Sequence, residues 1–124
     1  MIDLAPIGRV RSSIETTDDA PRQGLLEDIE GTIELESQYV EGLTGYEVGD
    51  EVLVVWFADD ADRSLLRLDK REGRGVFNSR SPSRPNPICL TTVDILAIDD
   101  GTLRVSGVDM LDGSPVLDLK VPLD

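Results

Sequence analysis

Val52-Leu-Val-Val-Trp-Phe57 is the stretch on which the fold turns. Six apolar residues in a row, three of them valine, are too few for a buried helix and suit a β-strand covered on both faces. That reading makes Val52 to Phe57 the centre of the core. Upstream, Ile29, Gly31, Ile33 and Leu35 alternate with polar residues as in a half-exposed strand, and downstream Leu103, Val105 and Gly107 do the same. Ile88 to Ile98 is a further long strand candidate, and Asp100-Gly101 after it supplies the left-handed backbone that a tight hairpin turn needs. Asp112-Gly113-Ser114-Pro115 marks the next turn, before a last short strand from Val116 to Leu119. Helix signals are sparse: Ser37 to Gly42 could make about one turn, and Asp60 to Leu68 a short helix. Short strands separated by turn residues predict an all-β fold, a barrel or a sandwich with few short helices.

At 124 residues the chain has material for one core, and a single domain over residues 1–124 is expected. The longest apolar run, Val52 to Ala58, falls far short of the roughly 18 to 20 residues that a membrane-crossing helix needs, and Met1-Ile2-Asp3 does not open a secretory leader. A soluble, cytoplasmic protein is the expectation. Cys89 is the sole cysteine and histidine is absent, so an internal disulfide is excluded and no metal site is expected, structural zinc requiring four Cys or His ligands.

The charge balance is extreme, with 25 acidic residues against 12 basic ones, and only Lys70 and Lys120 are lysine. The 40% apolar content and the strand-like alternation supply a core, which sets this chain apart from an acidic disordered one. An acidic, lysine-poor surface fits a folded protein adapted to high salt, where screening shortens the reach of carboxylate repulsion to about 3 Å at 1 M. The positive residues are gathered. Seven of the 12 lie between Arg63 and Arg84 against two acids, giving that stretch a net charge of +5 and the remainder −18. Such an island suits an anionic partner such as a nucleic acid backbone, although a solvated loop balancing the acidic surface has the same composition.

Two segments lack a regular pattern, Ser12 to Leu25 and Gly73 to Pro87. The second belongs to the string Gly75-Val-Phe-Asn-Ser-Arg-Ser-Pro-Ser-Arg-Pro-Asn-Pro-Ile-Cys-Leu90. Pro82, Pro85 and Pro87 each lock their own φ and push Ser81, Arg84 and Asn86 towards extended geometry. A loop so stiffened presents the side-chain donors of Arg80, Ser81, Arg84 and Asn86 at little entropic cost to a ligand. By spacing alone it is equally a rigid connection or a polyproline segment for another protein.

The strings RSPSRPNPICL, VDMLDGSPVLDLK, PIGRVRSS and PRQGLL, in their places along the chain, together resemble the TrmO (TsaA-like, YaeB-like) family. These are S-adenosylmethionine-dependent methyltransferases acting on N6-threonylcarbamoyladenosine beside the tRNA anticodon. The resemblance implies a small closed β-barrel, one TsaA-like domain over residues 1–124, often a homodimer, that binds its cofactor without a Rossmann sheet. No glycine-rich strand-to-helix turn contradicts it, since Gly73 and Gly75 are followed by strand-like Val76-Phe77. By motif, S-adenosylmethionine should meet Arg22, Gln23, Gly24, Leu25, Ala58, Asp59, Arg80, Leu90, Asp109, Met110, Leu111 and Asp112. Arg80 offers a planar fork of donors suited to the methionine carboxylate. Arg63, Arg67, Lys70, Arg71, Arg74 and Arg84 are the candidates for tRNA phosphates. Where the family commonly carries histidine and glycine, this chain has Ala58 and Cys89, and it ends in LDLKVPLD without the usual tyrosine.

Methyl transfer from a sulfonium is an in-line displacement, so alignment supplies much of the catalysis, while the substrate nitrogen must still lose its proton. Without histidine, Asp109, Asp112 and Asp118 are the candidate bases, and water is a further one. Three readings differ in class: a tRNA methyltransferase, one acting on this or a different substrate; a non-catalytic module binding S-adenosylmethionine or RNA; and an interaction domain presenting its proline loop. The acidic surface makes its own prediction. The melting temperature should rise as potassium chloride is added into the molar range, and a fall would remove the salt adaptation.

Overall fold

Six antiparallel strands close into a barrel in the computed structural model, which describes residues 2–15, 29–68 and 73–123. They are β1 (Gly8–Arg11), β2 (Glu30–Leu35), β3 (Glu51–Phe57), β4 (Ile88–Asp99), β5 (Thr102–Ser106) and β6 (Pro115–Lys120). Their order around the barrel is β1-β2-β5-β4-β3-β6, with β6 returning to β1. Closure leaves the sheet without an open edge, a gain for a small domain.

The alternation on each strand fills the interior. Val52, Val54 and Trp56 of β3 point inward and meet Val93 and Ile95 of β4, Leu103 and Val105 of β5, Ile33 of β2, Val10 of β1 and Val116 of β6 in one core. β3 lies between β4 and β6, and its inward face stands in the core as expected, but it is not covered on both faces. Leu53, Val55 and Phe57 turn outward and stay part-exposed, because a barrel of this size has only one interior. The Arg63 guanidinium lies 5.6 Å from the centre of the Phe57 ring and covers part of that face.

Shifts of register beside Val55 and Trp56 and between Ile95 and Ala97 mark bulges, which add the twist that closure requires. The β4–β5 hairpin turns at Asp100, whose φ of 56° is the left-handed geometry read from the Asp-Gly pair. Gly113, at φ 86°, does the same in the turn before β6. Ser37–Leu43 forms a short 3₁₀ helix.

Two further expectations are corrected, and one strand was not anticipated. Asp60 to Leu68 is not helical: Asp62 caps a turn at Ser64, and Leu66 and Leu68 pair through their backbones with Val76 and Arg74. Val76–Asn78 is a 3₁₀ turn rather than a strand. β1 went unread because Val10 is its one large apolar residue. The paired backbones of β1 and β2 also explain Gly8. A Cβ there would strike the Glu34 carbonyl oxygen and lie 2.9 Å from Leu35 Cα, both fixed in the ladder. Gly8→Ala should therefore cost about 2–3 kcal/mol, the upper range for overpacking, read as a lower urea midpoint at unchanged slope.

Candidate functional site

The antiparallel order puts the connections that follow β1, β3 and β5 at one end of the barrel, the β3–β4 connection being the longest of the chain. Each is tied to its neighbours. The β5–β6 connection runs back along β1, where Asp112 N–H donates to Ile14 O, Gly113 N–H to Val10 O and Ser12 Oγ to Met110 O. The β3–β4 connection returns where Ala58 N–H donates to Pro87 O.

A chain of hydrogen bonds crosses this end. Trp56 Nε1 donates to Thr91 Oγ1 at 3.0 Å, and Thr91 Oγ1 donates to Asp109 Oδ1 at 2.7 Å. Burial pushes the Asp109 carboxyl above its ordinary range, against the downward pull of the Thr91 hydroxyl, its own backbone N–H and the Arg80 guanidinium. Cys89, opposite Trp56 across the β3–β4 ladder, packs against the core. Its thiol is pushed up to about 11, first by burial and then by the Asp109 charge, with Arg84 and Arg80 opposing. It is thus a small core side chain and no nucleophile near neutral pH. Asp109, Cys89, Arg80 and Arg84 therefore share one neighbourhood.

Arg84 holds the proline loop from within. Its Nε donates to Ser81 O at 2.8 Å, and its Nη2 donates to both Val76 O and Ser79 O. Ser79 Oγ also donates to Val76 O and accepts from Ser81 N–H, so backbone, serine hydroxyls and guanidinium form one knot. An arginine committed to three carbonyls is a staple, which corrects its assignment to an RNA phosphate. Arg80 is more open, with Nη2 on Leu90 O at 3.2 Å.

Other expected residues separate. Arg22, Gln23, Gly24, Leu25, Lys70 and Arg71 lie outside the described residues. Ala58 is buried and Asp59 exposed at the end of β3. Met110 is fully buried in the core, and Leu111 packs against it. Leu90 pairs with Val55 and faces outward, so its carbonyl, not its side chain, is turned to Arg80. Asp112 is exposed and accepts from Ser12 N–H. Asp118 sits opposite Val55 on the outer wall, and its charge acts on Tyr46 at the far end of the barrel. Arg63 Nε donates to Pro85 O at 2.8 Å and Arg67 Nε to Gly73 O at 3.0 Å, while Arg74 is exposed. What the sequence could not single out is Thr91 with Trp56: their link exists only through the β3–β4 register.

A cleft of about 650 Å³ lies at the other end, lined among others by Tyr46, Asp50, Glu51 and Lys120. The opposite end is the candidate functional site nonetheless, because there a half-buried acid, two arginines and a stiffened loop converge.

Comparison with known proteins agrees with this architecture. Residues 9–123 match the model of the tRNA-methyltransferase O N-terminal domain. The chain is 52% identical, over 96% of its length and 97% of the relative's, to a probable S-adenosyl-L-methionine-binding protein of Halobacterium salinarum. It is 45% identical to an S-adenosyl-L-methionine-binding protein of Archaeoglobus fulgidus, covering 94% of this chain and 86% of that one. The crystal structure of TrmO superposes with a TM-score of 0.84 at 36% identity, over 99% of this chain and 58% of that one. TrmO from Pseudomonas aeruginosa gives 0.81 at 35%, covering 99% and 56%. This chain spans little more than half the length of those solved chains.

The raised Asp109 carboxyl has a thermodynamic consequence. A folded-state pKa above the ordinary 3.8 means the folded protein binds the proton more tightly, so Asp109 lowers stability as pH rises through that window. Asp109→Asn, which can still accept from Thr91, should raise the urea midpoint at neutral pH. The gain should shrink as pH falls towards the ordinary carboxylate range; a gain independent of pH would refute burial of the charge as its cause.

Proposed function

Because this chain belongs to the TrmO family, we propose that it is an S-adenosylmethionine-dependent methyltransferase acting on tRNA, with cofactor and methyl acceptor meeting at the loop end of the barrel. The observation that carries this reading is the half-buried Asp109, oriented through Thr91 and Trp56, within electrostatic reach of Arg80. The names of the relatives from Halobacterium salinarum and Archaeoglobus fulgidus support the cofactor. The finer acceptor in this proposal is N6-threonylcarbamoyladenosine next to the anticodon.

The donor set suits the ligand. Arg80 would take the methionine carboxylate with its planar guanidinium, while the Asp109 carboxylate would favour the sulfonium charge. Ala58, Asp59 and the chain from Asp109 to Asp112 would line the rest, together with Arg22, Gln23, Gly24 and Leu25. Met110 and Leu90 would contribute backbone, their side chains being spent on the core and the outer wall.

When bound, S-adenosylmethionine supplies a methyl group carried on a sulfonium. The protein's part is to fix the acceptor nitrogen in line and to take its proton, and positioning of this kind is worth on the order of several kcal/mol. Among the three candidate bases we choose Asp109. Its raised carboxyl is better matched to accepting a proton near neutral pH than an ordinary carboxylate, and the Thr91 hydroxyl holds its orientation. Asp112 is occupied by the Ser12 N–H, and Asp118 stands on the outer wall. Arg63, Arg67 and Arg74, with Lys70 and Arg71, would face the tRNA backbone. A homodimer also belongs to this proposal, supported by the outward Ile88 and Leu90, 41% and 42% exposed on β4.

Calorimetry with S-adenosylmethionine and methylation of tRNA bearing N6-threonylcarbamoyladenosine, followed by mass spectrometry, test the reading together. Arg80→Ala should weaken cofactor binding by about ten- to a hundred-fold, the loss of a charge-assisted hydrogen bond. Unchanged affinity would remove Arg80 from the site. Cofactor binding without any methylation would instead favour the non-catalytic module.

A further inference from the structure

Phe77 is 79% exposed, in a chain with only five aromatic residues. An exposed phenylalanine on a floppy loop would mean little, but the turn that carries Phe77 is over-determined. Val76, on one side, is buried to 1% exposure and anchors the turn in the protein. Its N–H donates to Leu66 O, Asn78 N–H donates to Gly75 O, and its carbonyl receives both Arg84 Nη2 and Ser79 Oγ. The turn is thus held from behind while the ring is directed to solvent.

The surroundings select the partner. Of 124 residues 25 are acidic, yet residues 73–93 contain no aspartate or glutamate and include Arg74, Arg80 and Arg84. On a protein of net charge −13 this is a window in which a polyanion meets no carboxylate from the segment itself. Arg74 and Asn78, exposed on either side of Phe77, supply donors for phosphate or sugar oxygens. A flat apolar ring beside a cation is the combination that binds an unpaired nucleotide, base on ring and phosphate on arginine. The window adjoins the site, since Arg84 grips this turn while its charge and that of Arg80 reach Cys89 beside Asp109.

We infer that Phe77 is a stacking platform for an unpaired base of the RNA substrate, flanked by Arg74 and Asn78, and that it helps position the strand whose nucleotide enters the site. The inference rests on the tRNA reading above and adds to it the residue that engages the single-stranded region.

The test uses the full chain, an anticodon stem–loop RNA, and the same stem closed as a continuous duplex. Phe77→Ala should weaken binding of the stem–loop by about ten-fold, within the range for loss of one base–aromatic stack, and leave S-adenosylmethionine affinity and melting temperature unchanged. Phe77→Trp should keep the affinity, and its exposed indole should be quenched by the stem–loop and not by the duplex. Wild-type binding of the stem–loop with equal affinity in Phe77→Ala overturns the inference while leaving the tRNA reading in place. So does a Phe77→Ala effect confined to self-association in sedimentation, which would make the ring a contact between two copies. Failure of the wild type to bind either RNA refutes the tRNA reading and the inference with it.

Discussion

Closure of the sheet between β1 and β6 governs the rest of this molecule. Gly8 makes it possible by pairing on one side with Leu35 and on the other with Val116, in a space where a side chain would meet backbone. Once the barrel is closed, strand direction alone decides which connections share an end. Those after β1, β3 and β5 fall together, so residues as distant as Ser12, Asn86 and Asp112 border one region. In a Rossmann fold a ligand sits where strand order reverses in an open sheet; in the proposed reading the gathered loops would take that part.

Rigidity at that end comes from two networks of different kinds. The proline loop is stiff because three φ angles are locked and because Arg84 fills three carbonyls that the missing ladder leaves without partners. Asp109 is held instead by a relay rooted in the core, through Thr91 to a tryptophan of β3. The first network fixes the outer rim and the second the acid within it. Arg80 bridges the two, since it bonds β4 at Leu90 and acts on Asp109.

Charge is distributed to match. Only two ion pairs, Arg11 with Glu34 and Arg104 with Glu30, occur among the described residues, and both are exposed. Most carboxylates thus face solvent rather than partners, and contribute to solubility more than to folding. Among the described residues, Arg63, Arg67, Arg74, Arg80 and Arg84 all lie in the β3–β4 connection, which makes that segment the positive part of an acidic surface.

Much of this was legible in the chain. Alternation at Ile33 and Leu35 and at Leu103 and Val105, the Asp100-Gly101 turn and the run from Val52 to Phe57 name the strands, because side-chain period and turn geometry are local properties. The proline loop announced itself for the same reason, φ being set residue by residue. What local pattern could not supply was partnership. Nothing in the spacing distinguishes Asp109 from Asp112 or Asp118, or a guanidinium that staples a loop from one that faces solvent. Those differences arise from burial and register, which bring Thr91 beside Trp56, turn Asp118 to the outer wall and tie a half-buried Arg84 to its own loop. The sequence by itself determined a strand-rich acidic domain with a stiff basic loop; tertiary structure alone decided which acid is desolvated and which arginines remain exposed, because both depend on neighbours far apart in the chain.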